Sequence, residues 1–252
     1  KNPRAAHLGG AMSSIETLVT LYFHVMRYRL KQPNWINRDR FFLSKGHSIL
    51  GYYCILNHVG FLTEDDLWSY GENGTILPGH PVINIEKGIE FTNGSLGMGL
   101  SVAVGNALVA KKLQLDTKCY VLLGDGECNE GSIWEAAMLA ASQHVHHLTA
   151  IVDYNKWQAT GRSQEVMALE PLAAKWEAFG WHAQEIDGHD LAAIGQALTS
   201  ARAETSKPSV IVAHTIKGKG VSFMEDDNNW HYRTPNPDEL AAALTELQEV
   251  QL

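Results

Sequence analysis

The sequence predicts an α/β fold of three layers, in which a mostly parallel sheet has helices on both faces. Three observations favour this class. Short apolar runs alternate with stretches of helical periodicity along the whole chain. These runs are apolar at consecutive positions, as strands covered on both faces require. Finally, 252 residues with 45% hydrophobic content suffice for one large domain, so we predict a single domain over residues 1–252.

The individual elements follow from periodicity. Apolar residues at helical spacing predict helices over 14–30, 95–114, 131–144, 171–179, 190–204 and 237–250, with Asp190 as an N-cap. Continuous apolar runs predict strands over 40–43, 119–123, 148–153, 181–186 and 210–214. The stretches 44–94 and 154–170 are predicted to be irregular, and such long stretches usually serve a site. Small residues from Gly97 to Ala107 predict close contact with another backbone.

Composition excludes several classes of protein. A net charge of −8 and a pI near 5.8 argue against a nucleic-acid surface, which needs a basic face. No apolar run approaches the length of a membrane span, and no signal peptide is recognised. The three cysteines, Cys54, Cys119 and Cys128, lack metal-like spacing, so we expect reduced thiols and a cytoplasmic location.

The stretch VLLGDGECNEGSIWEA, residues 121–136, carries the first chemical signal. Asp125 stands between two glycines at the carboxyl end of a predicted strand, where doubly wound sheets bind ligands. Gly126 lets the backbone approach a phosphate, and the predicted helix from Gly131 points its positive end the same way. An acid beside a phosphate repels it unless a cation lies between them. Mg²⁺ suits this place, since it commonly shares oxygen ligands between protein and phosphate.

The remaining metal ligands are expected at a neighbouring strand end. The next predicted strand ends in Asp153, Tyr154 and Asn155, and Asn155 offers a neutral amide oxygen. Gly-Asp-Gly is thus followed, after 27 residues, by Tyr-Asn. This arrangement resembles the thiamine diphosphate signature, in which Gly-Asp-Gly precedes an Asn at about this distance. The chain resembles the N-terminal, diphosphate-binding domain of the transketolase family.

Other segments resemble the same family in the same order, and together they cover essentially the whole chain. They are AAHLGGAMS, LSKGHS, LPGHP, TNGSLGMGLSVAVGNA, DGHD and HTIKGKG. The chain departs from the family at Ser95, where many members have Pro, and at Tyr154, where Asn or Asp is usual. It also departs after His231, where a Gly is common.

The resemblance implies a cofactor and a set of ligands for it. Thiamine diphosphate would bind together with Mg²⁺, for which Ca²⁺ or Mn²⁺ can substitute. The metal would be held by Asp125, Asn155 and the backbone carbonyl of Trp157, and the amide of Gly126 would meet the diphosphate. The other cofactor contacts implied by the resemblance are His47, Gly94, Leu96, Gly124, Glu130 and His231.

Four of the 12 histidines lie beside glycine or in irregular stretches, where function concentrates. They are His7, His47, His80 and His231. The resemblance assigns His47 and His80 to diphosphate and substrate oxygens, and His7 and His231 to the protons of substrate hydroxyls. Imidazole suits this work because its pKa is near neutral. The other eight histidines are interpreted as carrying no chemistry.

The acids that follow Asp125 allow more than one interpretation. Glu130 and Glu135 could be favourable acids in the first turns of a helix. The resemblance instead places both at a subunit interface, facing a partner glutamate, where shared protons couple two active sites. We predict a catalytic role of this kind for Glu130. Glu127 is expected to face solvent, and Lys217 and Lys219 are interpreted as loop residues rather than phosphate ligands.

The resemblance implies transfer of a two-carbon glycolaldehyde unit from a ketose to an aldose. In the family, the carboxylate that activates the cofactor belongs to a following pyrimidine-binding domain. We therefore expect that domain on a separate C-terminal subunit, in an α₂β₂ assembly. Three alternatives stay open: a deoxyxylulose-phosphate synthase-like enzyme, the α component of a 2-oxo-acid dehydrogenase, or a non-catalytic cofactor-binding subunit. The set His7, His47 and His80 favours hydroxylated sugar substrates over the other two enzymes, although neither donor nor acceptor can be named.

Overall fold

The computed structural model describes residues 6–249, and within them five parallel strands form one sheet. The strands are β1 (Arg40–Leu43), β2 (Cys119–Gly124), β3 (Leu148–Tyr154), β4 (His182–Asp187) and β5 (Ser209–His214). Their order in the sheet is β1-β2-β3-β5-β4, and every neighbouring pair is parallel. This arrangement confirms the predicted α/β class.

Strand β2 shows how the sheet separates two cores. Its odd-numbered residues, such as Val121, face a core shared with α5 (Gly99–Lys112), α6 (Gly131–Ser142) and α8 (Leu172–Ala178). Tyr120 and Leu122 point the opposite way, because side chains alternate along a strand. They join a core formed with α2 (Ile15–Thr20), α3 (Ile49–His58) and α9 (Leu191–Ala203). Helices thus cover both faces.

The remaining elements are short, except for the last helix. They are α1 (Gly9–Met12), a π-helical turn (Leu21–Val25), α4 (Glu64–Trp68), α7 (Ser163–Met167), α10 (Pro237–Glu249) and four 3₁₀ turns (Gly46–Ser48, Ile85–Lys87, Gly126–Asn129, Asn228–Trp230). No helix of residues 6–249 is long and apolar enough to cross a membrane. Cys54, Cys119 and Cys128 are all free thiols.

The helix predicted over residues 14–30 is shorter than its apolar pattern indicates. It ends in the π-helical turn, and Met26 already has extended backbone, with φ −76° and ψ 138°. The amide of Arg27, which a continuing helix would use, donates instead to the buried carboxylate of Asp39 at 2.9 Å. A tertiary hydrogen bond therefore stops the helix where the side-chain pattern would continue it.

The predictions of irregular stretches over 44–94 and 154–170 were wrong, because the first contains α3 and α4 and the second contains α7. Helix α3 is buried on most of its circumference, so its sequence shows no amphipathic period. Helix α4 has a local signal that could have been recognised. Thr63 and Asp66 form a capping box, in which each side chain accepts a hydrogen bond from the other's backbone amide.

The small residues of 97–107 meet different surroundings. Gly97 has φ +84°, and a Cβ on Gly99 would lie 2.4 Å from Ser44 Oγ, so the chain before α5 does approach its neighbours closely. Among residues 6–249, no atom outside the backbone of this helix lies within 4 Å of the corresponding position on Gly105. The predicted close contact therefore exists at the start of the helix and is absent at Gly105.

At α9, the predicted Asp190 N-cap is confirmed by hydrogen bonds from the amides of Ala192 and Ala193. Position 250, the predicted end of the last helix, lies outside the described residues.

Candidate active site

The carboxyl ends of the strands lie along one edge of the sheet, where there is a cavity of about 440 Å³. Its walls come from the segments that follow β1, β2, β3 and β5 and from the start of the described chain. All residues that the sequence analysis assigned to the site line it: His7, His47, His80, Gly94, Leu96, Gly124, Asp125, Gly126, Glu130, Asn155, Trp157 and His231. The fold thus brings residues from both ends of the sequence to one place.

Asp125 follows β2 directly and is almost completely buried. Its Oδ1 accepts the amide of Gly126 at 2.8 Å, and its Oδ2 accepts the amide of Lys156 and the hydroxyl of Ser163, both at 2.8 Å. Burial raises the pKa of Asp125 to about 6, and the charge of Asp153 adds to this, while the Ser163 hydrogen bond opposes it. A buried carboxylate that is disfavoured in this way favours a nearby cation.

Asn155 and Trp157 follow β3 on a tightly held loop. Asn155 donates Nδ2–H to Asp153 at 3.0 Å, and its Oδ1 accepts the amide of Trp157 at 3.1 Å. Arg162 lies over the Trp157 ring at 3.8 Å, and both side chains bind the carboxylate of Asp226. These contacts fix the loop, and with it the direction of the Trp157 carbonyl.

The donor set fits a hard divalent cation. It offers one carboxylate, one amide oxygen and one backbone carbonyl, which are the oxygen ligands that Mg²⁺ accepts. Within residues 6–249, no three His, Cys, Asp or Glu side chains form a group that could hold a metal. The ligands of such an ion would therefore include the neutral oxygens of Asn155 and Trp157, as well as oxygens from an anionic ligand.

The amide of Gly126 donates to Oδ1 of Asp125 in this structure. Its contact with the diphosphate stays a prediction. The absence of a side chain at this glycine does matter, because a Cβ would lie 2.7 Å from Cγ of Gln158. Gly126 therefore permits the 158 segment to close over the strand end.

The four predicted histidines form one cluster. The ring centre of His7 lies 5.1 Å from that of His47, 6.1 Å from His80 and 5.1 Å from His231. The rings of His47 and His231 are 5.6 Å apart. His231, whose flanking residues depart from the family, therefore lies beside His7 and His47. The side chain of Tyr232, the residue that replaces the common glycine, packs on His7 at 4.6 Å.

Burial and neighbouring positive charge keep His7, His47 and His231 neutral. Burial is the main cause that lowers the pKa of His7 to about 4, with additions from His80 and Lys217. Burial and then Lys217 lower the pKa of His231 to about 4. The pKa of His47 is also lowered, by burial and by Lys45. These three imidazoles are therefore uncharged at neutral pH and able to donate or accept a proton.

Two buried lysines that the sequence analysis missed lie in the cavity wall. Lys217 was interpreted as a loop residue, yet it is almost fully buried and donates to Asn228 Oδ1 at 2.7 Å and His231 Nδ1 at 2.9 Å. In the described part of the chain, no carboxylate forms an ion pair with it. Burial and Lys45 lower its pKa to about 8. Lys45 contacts Asp153 and the Gly10 carbonyl. Lysine is rarely buried, and no local pattern in the sequence marks these two as buried.

Glu127 corrects a second expectation. It was assigned to solvent, but it is buried and accepts hydrogen bonds from Ser44 Oγ and from the amides of Gly97 and Gly124, at 2.8 and 3.0 Å. It therefore joins three segments of the cavity wall. The amides of glycine-rich turns are unpaired donors, and Glu127 is the acid that satisfies them.

The acids at the start of α6 are not among the buried charged residues of the cavity wall. Glu130 and Glu135 are both exposed, so their interface role stays a prediction. The other eight histidines, all within the described residues, do not line the cavity. His189 has a structural role, since its ring bridges Glu16 and the amide of Ile216 at 2.8 Å each.

The comparisons with known proteins agree with this geometry. The family "Transketolase, thiamine diphosphate binding domain" matches residues 1–248. The chain is 42% identical over 246 residues to an apulose-4-phosphate transketolase subunit of Phocaeicola vulgatus, covering 98% of this chain and 87% of that protein. It is 44% identical over 243 residues to the 6-deoxy-6-sulfo-D-fructose transketolase subunit SqwG of a Clostridium species, covering 96% and 88%.

Solved structures give the same result. The transketolase of Campylobacter jejuni superposes with a TM-score of 0.90 at 30% identity over 97% of this chain. This chain spans only 39% of that protein, and 42% of the Leishmania mexicana transketolase. The class defined here is a thiamine diphosphate-binding domain. The chain belongs to the transketolase family and corresponds to that domain of it.

Proposed function

We propose that this chain is the diphosphate-binding subunit of a two-chain transketolase. With a separate C-terminal subunit, it transfers a glycolaldehyde unit from a ketose to an aldose. The observation that supports this most is the convergence of Asp125, Asn155 and Trp157 with the histidine cluster in one cavity. A cofactor-binding subunit without catalysis would need the three metal ligands but not the histidine cluster.

Thiamine diphosphate and Mg²⁺ fit the residues present. Asp125, Asn155 and the Trp157 carbonyl would hold the metal. Buried Lys217, for which residues 6–249 provide no carboxylate partner, would match the diphosphate charge. His47 and Lys45 also line the place where such an anion would bind. When bound, the cofactor supplies the carbon–carbon bond chemistry, while the protein supplies binding, orientation and proton transfer.

Proton handling is the work of the histidines. Lys217 has only donors, so Nδ1 of His231 must accept and the ring proton lies on Nε2. His231 is thereby prepared to donate a hydrogen bond from Nε2. Neutral His7, whose ring centre lies 5.1 Å from that of His231, can take or return the proton of a substrate hydroxyl. His80, whose ring centre lies 6.1 Å from that of His7, adds a further polar group for a hydroxylated chain.

We further propose a partner that covers α5 and α6. The apulose-4-phosphate and 6-deoxy-6-sulfo-D-fructose relatives each carry the word subunit in their names. Exposed apolar side chains lie along these two helices and at both ends of α5: Met98, Val109, Leu113, Met138 and Leu139. Exposed Glu135 lies among them on α6. A pyrimidine-binding subunit that packs here would bring its residues to the cavity mouth beside Glu130. We propose an α₂β₂ assembly, because oligomers favour closed symmetry and such an assembly has an even number of each chain. Its free thiols fit a cytoplasmic location.

The substrate is proposed as a ketose with an anionic group. The names of the two relatives specify a sugar phosphate and a sulfo sugar. Polyhydroxylated chains also suit a cluster of neutral imidazoles, which can both donate and accept hydrogen bonds.

The test is to express this chain with a candidate C-terminal transketolase subunit, then measure ketol transfer and the mass in solution. Each chain alone serves as the control. We expect transfer only from the mixture, with an even number of each chain. Full activity of this chain alone would overturn the two-chain proposal, and a mixture that binds no thiamine diphosphate would overturn the function.

A further inference from the structure

A single buried carboxylate joins the strand ends beneath the cavity. Asp153, in β3, is 1% exposed. It accepts hydrogen bonds from Ser13 Oγ at 2.7 Å and Asn155 Nδ2 at 3.0 Å, and also from Lys45 Nζ and Thr215 Oγ1. These donors come from the end of α1 and from the segments after β1, β3 and β5. None of the roles assigned above uses this carboxylate.

The carboxylate determines which end of a neighbouring amide faces the cavity. The side chain of Asn155 has an oxygen at one end and an NH₂ group at the other, and only the oxygen can bind a cation. An ionised carboxylate only accepts hydrogen bonds, so Asp153 can face only the NH₂ end. The oxygen is left on the side of the Trp157 amide, which it accepts at 3.1 Å. The orientation of Asn155 is thus fixed at both ends.

Lys45 completes the arrangement. Its ammonium contacts Asp153 and the carbonyl of Gly10 at 2.8 Å, and both side chains of the ion pair are 1% exposed. A buried carboxylate without a cation would be strongly disfavoured. Lys45 therefore allows a charged acceptor to lie directly behind Asn155 without lying in the metal site itself.

We propose that Asp153 is a positioning residue for the metal: it holds the amide of Asn155 with its oxygen toward the ion, and Lys45 balances its charge. This inference rests on the proposed function, because it requires Asn155 to be a metal ligand. Removing a residue that orients a metal ligand in this way commonly weakens metal affinity by roughly 10–100-fold.

The alternative is that Asp153 and Lys45 only stabilise the fold. The chain offers a matched control for it. Glu90 is a buried carboxylate that contacts Arg38 and Arg40 at the opposite edge of the sheet. If any lost buried ion pair weakened metal binding through the fold, then Glu90→Gln and Asp153→Asn would do so alike.

The experiment measures Mn²⁺ affinity by the electron paramagnetic resonance signal of free Mn²⁺, with thiamine diphosphate present, on the two-chain assembly. We expect Asp153→Asn to weaken Mn²⁺ binding about 10–100-fold, and Glu90→Gln to leave it unchanged. In ¹⁵N spectra of this chain, one protected side-chain NH₂ signal, assigned by its loss in Asn155→Ala, should also lose protection in Asp153→Asn. Wild-type Mn²⁺ affinity in a folded Asp153→Asn would overturn the inference.

A second variant covers the case in which Asp153→Asn does not fold. Lys45→Met/Asp153→Leu removes both charges, and apolar replacement of a whole buried pair is often tolerated. It should fold and bind Mn²⁺ weakly, and wild-type affinity would again overturn the inference. Asp125→Ala distinguishes failure of the proposed metal site from failure of the proposed positioning role. If it keeps Mn²⁺ affinity, the proposed metal site is wrong; if it loses affinity while Asp153→Asn does not, only the positioning role is wrong.

Discussion

The two ends of the strands hold buried charge in different ways. At the amino ends, Asp39 accepts hydrogen bonds from Arg27 and Arg202, and Glu90 contacts Arg38 and Arg40. Each of these carboxylates has an arginine partner. At the carboxyl ends, Asp153 pairs with Lys45, but Asp125 and Lys217 form no ion pair within the described residues. The pKa of Asp125 is raised to about 6, chiefly by burial, and that of Lys217 is lowered to about 8 by burial and Lys45.

This difference separates stabilising from binding residues. Removing one partner of a matched buried ion pair destabilises the fold, because the other charge is left uncompensated. A buried charge without such a partner and with a shifted pKa is in an unfavourable state until a ligand compensates it. The amino-end network should therefore control stability, and the carboxyl-end residues should control binding and turnover. The following variants are ordered from the largest expected effect to the smallest.

Asp125→Ala should abolish Mg²⁺-dependent binding of thiamine diphosphate while the fold survives. It removes the single anionic ligand between the metal and the protein. Calorimetric titration of the two-chain assembly measures this directly. Asn155→Ala should weaken binding as well. Trp157→Ala should weaken it less, since the backbone carbonyl remains and only the side-chain contacts that hold the loop are lost. Unchanged cofactor affinity in Asp125→Ala would contradict the assignment of the carboxyl end.

His47→Ala and His80→Ala should lower turnover by roughly 10²–10⁴-fold, the usual effect of a lost acid–base or positioning contact. Cofactor affinity should change less than activity. Initial rates of ketol transfer with a ketose phosphate donor provide the measurement. His146→Ala is the control, because His146 lies outside the cavity and should be nearly silent. If both cavity variants turn over like the wild type, the cluster does not act on substrate.

Asp39→Ala should show the opposite pattern. Asp39 is completely buried and accepts hydrogen bonds from Arg27, from Arg202 and from the amide of Lys118. Its loss leaves these donors without their acceptor, and we expect a destabilisation of about 3 kcal/mol. Urea unfolding measures it. Cofactor affinity of the folded protein should be unchanged, so a large loss of affinity would erase the distinction between the two ends.

Lys217→Met should stabilise the protein without cofactor and weaken diphosphate binding. The pKa of Lys217 is about 8 in the folded chain and higher in the unfolded chain. Between these values the unfolded chain binds more protons, so stability should rise with pH above 8 and be lowest below it. At pH 7 we expect Lys217→Met to raise the free energy of unfolding by roughly 1–3 kcal/mol. A destabilised variant with normal affinity would show that Lys217 is a structural residue.

Much of the fold and of the site was predictable because both depend on local patterns. Strands buried on both faces appear as apolar runs, and Gly-Asp-Gly with a spaced Asn marks two adjacent strand ends. Helix α3 was missed since burial on most sides removes its period. The end of α2 was misplaced because the carboxylate of Asp39, a residue far from the helix in sequence, takes the amide of Arg27.

The missed site residues have a common cause. Glu127, Lys45 and Lys217 belong to residue types that are usually exposed, and no local pattern distinguishes a buried one. Their partners lie in other segments: Glu127 with Ser44 and Lys45 with Asp153. Only the three-dimensional arrangement shows that these charges turn inward.

Proton uptake on cofactor binding tests the central claim most directly, which is that the carboxyl-end charges are matched by a bound diphosphate. Thiamine diphosphate with Mg²⁺ is titrated into the two-chain assembly at pH 8, by calorimetry in two buffers of different ionisation enthalpy. A diphosphate beside Lys217 raises its pKa from about 8, so we predict uptake of about half a proton per site, and less in Lys217→Met. His7 and His231, whose pKa values burial lowers to about 4, stay uncharged at this pH. Binding without proton uptake, or no binding at all, would contradict the account.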